Sequence, residues 1–150
     1  MRIGGVAMVE QSSASVGNSI SGLGVLLAED DDFTRMMLQR LLEDLGVGRI
    51  WTAADGDQAL QLVAAHGPAI NVAICDLEMP GRSGLEFLMA LRAREEVRNT
   101  RLPVIVLTAH REAEVVQQAI SFGVAGYLVK PVSKQELAHR LAVAASQNGA

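Results

Sequence analysis

A doubly wound α/β fold on a parallel sheet is what this 150-residue sequence predicts, and three observations carry the prediction. From Leu23 onward, short apolar runs alternate with amphipathic stretches, the signature of repeated βα units, and five such units fit the chain. Four of the runs are nearly continuous in Val, Leu, Ile and Ala, as strands covered by helices on both faces require. Each of those four runs leads directly into polar residues, Glu29-Asp30, Asp76, Thr108 and Lys130, which parallel strands gather at one carboxyl edge.

Residues 1–22 carry Gly4, Gly5, Gly17 and Gly22 with serines at 12, 13, 15, 19 and 21, without periodicity, and are expected to be a flexible leader. The first strand is expected near 24–28. The acidic run 29–32 then opens a helix that begins near Asp32, runs through Met36, Met37, Leu41, Leu42 and Leu45, and stops at Gly46. At least one of Asp31 and Asp32 caps it. A second strand follows at 49–53, the least regular of the set. The second helix covers about 56–65, with Asp55 and Gln58 at a loose capping-box spacing. A strand at 70–75 leads to a third helix at 85–94, where Ser83 and Glu86 have the full spacing. Next come a strand at 103–107, a helix at 111–122 and a strand at 126–129. The fifth helix spans 134–146 behind Ser133 and Glu136. The folded domain is therefore expected over 23–147, with a tail at 148–150.

Composition narrows the function. A chain this long with 49% hydrophobic residues has ample material for one packed core. Aromatics are only 3%, which argues against base-stacking or carbohydrate platforms. A net charge of -4 leaves no basic footprint for nucleic acid or an anionic membrane. No apolar stretch approaches the ~20 residues of a membrane span, and the start lacks the apolar region of a secretory signal, so a cytoplasmic protein is expected. Cys75 is the single cysteine, sits inside a predicted strand and reads as a small apolar core residue. His66 and His139 fall on ordinary helices with no context for a metal or phosphohistidine.

The strand ends carry the chemistry. Glu29, Asp30 and Asp76 bring up to three carboxylates together, and their repulsion is costly unless a cation or proton intervenes. Oxygen donors of this kind suit Mg²⁺, which keeps open positions for phosphate oxygens. Thr108 can donate a hydrogen bond to such an oxygen, and Lys130 can supply a point charge. With phosphate held there, Asp76 has the chemistry of a nucleophile that forms an acyl phosphate, and an aligned water would reverse the modification. Taken singly, each residue has a bland explanation: a helix start, a loop hydroxyl, a surface lysine, a turn-forming Asp before Met79-Pro80-Gly81. Their coincidence at four strand ends overturns those explanations.

Four segments together resemble the receiver domain of two-component response regulators, of the chemotaxis-regulator type. They are Leu26-Leu27-Ala28-Glu29-Asp30-Asp31, Cys75-Asp76-Leu77-Glu78-Met79-Pro80-Gly81-Arg82-Ser83-Gly84, Leu107-Thr108-Ala109 and Gly126-Tyr127-Leu128-Val129-Lys130-Pro131. The resemblance implies a (βα)5 flavodoxin-like sandwich with strand order 2-1-3-4-5. It implies that Asp76 accepts a phosphoryl group from a histidine kinase or phosphotransfer protein. Mg²⁺, with Mn²⁺ as a substitute, would be held by Asp30, Glu29, Asp76 and the Glu78 backbone carbonyl; Glu29 stands where the family more often has Asp. Thr108, Lys130 and the amides of Glu78 and Ala109 would bind the phosphate, and Pro131 implies a cis Lys130–Pro131 bond.

By the same resemblance Thr108 and Tyr127 form the switch, and the fourth helix, fifth strand and fifth helix present the output face to a downstream protein. The switch then works by shifting an existing equilibrium. Glu78 and His110 are implied to tune phosphate lifetime; His110 either pairs with Glu78 or is a solvated helix start. Within the Val115-Val116-Ala119-Ile120 set, part is expected in the core. Catalysis is confined to the domain's own aspartate. The alternatives are a haloacid-dehalogenase-type phosphatase, although Glu78 stands where that family needs a second Asp, and the receiver fragment of a larger regulator.

Overall fold

The apolar runs form five parallel strands: β1 (Gly24–Ala28), β2 (Arg49–Ala53), β3 (Val72–Asp76), β4 (Val104–Thr108) and β5 (Gly126–Val129). The helices are α1 (Asp32–Asp44), α2 (Gly56–His66), α3 (Gly84–Ala93), α4 (Glu114–Ser121) and α5 (Lys134–Asn148). This computed structural model describes residues 20–93, 101–110 and 114–148. Most of the expected leader, the end of the third helix at 94, the start of the fourth at 111–113 and the last two residues lie outside the described residues.

The sheet order is β2-β1-β3-β4-β5, the (βα)5 flavodoxin-like arrangement expected. After β2 the chain returns past β1 to lay down β3, so the strand order reverses between β1 and β3. A crevice opens at such a point beyond the carboxyl ends. Every residue of β1, β3 and β4 is buried, because helices cover both faces of these central strands.

Side chains alternate along each strand and so feed two separate cores. Leu26, Ala73, Cys75, Val104 and Val106 point to one face, against Leu60 and Val63 of α2, Phe87, Leu88 and Leu91 of α3, and Val116 and Ala119 of α4. Val25, Leu27, Ile74, Ile105 and Leu107 point to the other, against Leu38 and Leu42 of α1 and Leu137, Leu141 and Ala144 of α5. Ile20 belongs to this second core and Ser21 bridges Val47, so the packed chain reaches back beyond the boundary expected at Leu23. At the other end, α5 continues through Asn148.

The helix starts follow the capping chemistry. Asp31 caps α1 by accepting from the Thr34 amide at 2.8 Å. Asp55 caps α2 through the Gln58 amide. Ser83 and Glu86 exchange the reciprocal bonds of a capping box at α3. At α5 the Ser133 hydroxyl accepts from the Glu136 amide and donates to the Glu136 carboxylate, so only half of the box forms.

Burial separates two otherwise similar side chains. Leu26 is fully enclosed whereas Met36 is 55% exposed. Leu26→Ala is expected to lower unfolding free energy by about 2–5 kcal/mol, and Met36→Ala to change it by no more than about 0.5 kcal/mol. Urea titration measures both, and equal losses would contradict the two-core packing.

Candidate functional site

Parallel register brings the acidic residues together. Ala28 pairs with Cys75, so Glu29 and Asp76 emerge side by side at the strand reversal, and Asp76 in turn lies beside Leu107, next to Thr108. Burying a charge or hydroxyl is costly unless it is paired. Among the described residues the buried polar side chains are Glu29, Asp76 and Thr108, all on this rim. A fold that places its buried polar groups in one place has built a site there.

Lys130, just past β5, joins the carboxylates. Its Nζ lies 2.5 Å from Asp76 Oδ2 and 2.7 Å from Glu29 Oε1. The lysine is positioned by its own amide, which donates to the Thr108 carbonyl at 2.8 Å, and the Lys130–Pro131 bond is cis as expected. Asp76 Oδ1 accepts from the Glu78 amide at 2.9 Å, and Glu29 Oε2 from the Asp31 amide at 3.1 Å. Glu29 Oε1 is in charge contact with Lys130 but lacks hydrogen-bond alignment, and this buried oxygen has no other partner. Exposed Asp30 completes the cluster: one oxygen from each of Glu29, Asp30 and Asp76 lies within 4.8 Å of the others.

Burial pushes the Glu29 carboxyl above its ordinary value of 4.5, and the neighbouring Lys130 ammonium and Asp31 amide offset only part of that. For Lys130, burial acts downward, but the bonds to Asp76 and Glu29 outweigh it and hold the ammonium above 10.5. Its contribution to stability is therefore complete below pH 10.5 and lost as pH rises through the folded value. Burial likewise drives the Cys75 thiol upward, and the carboxylates beyond it add to the shift, consistent with an inert core residue.

The donors are hard oxygens, one of them buried without a hydrogen bond, and this set fits a divalent cation of the Mg²⁺ kind. Thr108 Oγ1 is turned to its own loop, accepting from the His110 amide at 3.1 Å and donating to the His110 carbonyl at 3.0 Å. Ala109 and His110 are exposed beside it. Among the described residues no hydrogen bond or ion pair joins His110 to Glu78. Tyr127 is half-buried opposite Val106 and lines a surface cleft of about 460 Å³ with His139 and Arg140.

Two contributors escape sequence reasoning. Arg35 donates to the Glu29 carbonyl at 2.8 Å while pairing with Asp32 at 2.5 Å, so it fixes the backbone under the acidic pair. The i,i+3 spacing of Asp32 and Arg35 is the signal that could have found it. Gly84 is the second: a Cβ there would collide with the Asp76 carbonyl and the Cys75 sulfur, so only glycine lets α3 start this close to the site.

The chain is similar to known proteins. The family model described as response regulator receiver domain matches residues 25–142. The transcriptional regulatory protein PdtaR of Mycobacterium tuberculosis is 35% identical over 124 residues, 82% of this chain and 57% of that protein. The chain thus spans little more than half of PdtaR's length. Chemotaxis protein CheY of Pseudomonas aeruginosa is 33% identical over 117 residues, covering 78% of this chain and 91% of CheY. A solved structure of a putative response regulator from Chloroflexus aurantiacus superposes with a TM-score of 0.75 at 28% identity, over 84% of this chain and 99% of that one.

The chain belongs to the response regulator receiver family, the CheY-like domains of two-component signalling. Its acidic cluster and the Lys130 ion pairs are those of a receiver's phosphoacceptor and Mg²⁺ site. Catalysis in such a domain is limited to phosphorylation and dephosphorylation of itself, so the phosphatase alternative falls. Among the described residues no helix is long and apolar enough to cross a membrane.

The direction of the Glu29 shift has a measurable consequence. With the folded value above 4.5, what the carboxyl contributes to stability is complete below pH 4.5 and lost as pH rises through that value. Burying this carboxyl is therefore a net cost at neutral pH that a bound cation relieves. Glu29→Gln is expected to raise the unfolding temperature in chelator at pH 7 and to shrink the further rise that Mg²⁺ gives the wild type. Thermal unfolding with and without Mg²⁺ reads both, and an equal Mg²⁺ effect in the two proteins would contradict this account.

Proposed function

We propose that the protein is a phosphorylation-controlled binding module whose Asp76 receives a phosphoryl group from a phosphohistidine on a kinase or phosphotransfer protein. The observation that carries the reading is the setting of Asp76: a buried carboxylate with one oxygen on the Glu78 amide and the other on Lys130, beside Glu29 and Asp30. An Asp76 oxygen forms the new bond to phosphorus as the phosphorus–nitrogen bond to the donor imidazole breaks and the imidazole leaves. Water attacking the same phosphorus later breaks the aspartyl oxygen–phosphorus bond, releasing inorganic phosphate and restoring the carboxylate. While the phosphoryl group is attached, Lys130 moves its charge from the carboxylate to the phosphoryl oxygens, and the amides of Glu78 and Ala109 cradle them. Asp30, Asp76, Glu29 and the Glu78 carbonyl would hold Mg²⁺. When bound, the metal neutralises phosphate charge.

Thr108 supplies the switch. Its hydroxyl gives up the His110 backbone for a phosphoryl oxygen, and Tyr127 follows inward, shifting α4, β5 and α5 toward the form that a downstream protein recognises. The cleft beside Tyr127 supports that choice of output face. Glu78 and His110, both exposed at the mouth, tune how fast water reaches the phosphoryl group. Phe33, Met36 and Met37 are exposed on α1, and an apolar cleft of about 320 Å³ runs from Phe33 and Met37 to Lys130 and Pro131. This surface beside the site suits the docking of a protein donor. We place the receiver domain at 23–147 with Ile20 packed onto it, in the cytoplasm, whether alone or as part of a larger regulator.

Incubation with Mg²⁺ and acetyl phosphate tests the chemistry. Intact mass is expected to rise by one phosphate in the wild type and not in Asp76→Asn, and chelation of Mg²⁺ is expected to abolish the gain. A gain that persists in Asp76→Asn would refute the assignment.

A further inference from the structure

The loop after β3 carries Glu78, and it is fastened at its far end to α2. Gly56, the first residue of α2, donates its amide to the Arg82 carbonyl at 2.8 Å. Gly56 also lies beneath the Arg82 side chain: a Cβ there would stand 2.5 Å from the Arg82 carbonyl oxygen and 2.9 Å from its Cγ. The guanidinium then reaches Asp57, with Nε 2.7 Å from Oδ1. At the near end the Leu77 amide donates to the Leu107 carbonyl, and Leu77 and Met79 are buried in the core. Between these anchors Glu78 and Pro80 are exposed, and Gly81 turns the chain with φ of 69°. The α2 end is itself tied to the acidic pair, because the Glu29 amide donates to the Ala53 carbonyl at 3.0 Å, three residues before Gly56.

We propose that Asp57 and Arg82 form a positioning latch: by tying the loop of residues 77–83 to α2, the pair sets where Glu78 stands relative to Asp76 and so the affinity of the site for a divalent cation. Both side chains are substantially exposed, so the pair adds little to global stability. Its effect is local, on a loop segment that has no secondary structure of its own and yet supplies a backbone donor to Asp76. The inference rests on the role given to Glu78 above, but its test needs no phosphorylation.

The test compares wild type, Arg82→Ala, Asp57→Ala and the charge swap Asp57→Arg with Arg82→Asp. Two quantities are read: amide hydrogen exchange at Glu78 in metal-free protein, and the dissociation constant for MgCl₂ alone by titration calorimetry. Each single variant is expected to speed exchange at Glu78 and weaken Mg²⁺ binding about two- to five-fold, the range an exposed ion pair supplies. The unfolding temperature should stay near that of the wild type, and the swap should restore both readouts. Unchanged exchange or unchanged Mg²⁺ affinity in Arg82→Ala, or failure of the swap to restore either, overturns the latch. Failure of acetyl phosphate to label Asp76 bears instead on the phosphoacceptor reading and leaves these two measurements standing.

Discussion

One ammonium between two carboxylates holds the rest of this molecule's function together. Lys130 arrives from β5 and reaches across the end of β4 to Asp76 on β3 and Glu29 beyond β1. Two unit charges about 4 Å apart near a protein surface interact by about 4 kcal/mol, so the carboxylates of Glu29, Asp30 and Asp76 cannot share the rim unless something cationic stands among them. The strand order makes that arrangement available. Reversal between β1 and β3 sets Glu29 and Asp76 side by side, and the outward run to β5 returns the lysine at the right depth.

The same constraint bears on the proposed phosphorylation. Three carboxylates share one lysine, and burial holds the Glu29 carboxyl above its ordinary value even with Lys130 2.7 Å from its Oε1. In the proposed function a divalent cation would relieve that imbalance, and a phosphoryl group would offer Lys130 and the nearby amides a better anion than the carboxylate. Thr108 shows the other half of the device: its hydroxyl is satisfied by the backbone of His110, so leaving it requires an acceptor worth more. Thr108 ends β4, and Lys130 follows β5, the strand that carries Tyr127 and leads into α5.

Much of this is legible in the chain, for physical reasons. Buried parallel strands need continuous apolar runs, and residues 24–28, 49–53 and 126–129 match β1, β2 and β5, while β3 and β4 shift by one or two positions at their ends. Helix starts announce themselves through Asp31, Asp55, Ser83 and Ser133 because capping is local chemistry. The site residues are visible because parallel strands collect their ends at one edge.

Relations between distant residues are less visible. The Asp57–Arg82 pair spans 25 positions, and no pattern marks it. Ile20 sits in a stretch whose composition reads as linker, yet it fills the core behind Leu42 and Leu141. The direction of the Thr108 hydroxyl depends on a loop backbone that composition does not specify. His110 illustrates the same limit: its backbone, not its imidazole, makes the contacts seen with Thr108.

The central claim is that the covalent chemistry resides on the one carboxylate that Lys130 and Glu78 orient. Borohydride reduction after treatment with a small phosphodonor and Mg²⁺ converts an aspartyl phosphate to homoserine, and tandem mass spectrometry locates it. The account predicts homoserine at position 76 alone, dependent on Mg²⁺. Homoserine elsewhere in the acidic cluster, at Asp30 for example, or a phosphate on a residue that borohydride leaves unchanged, would contradict it.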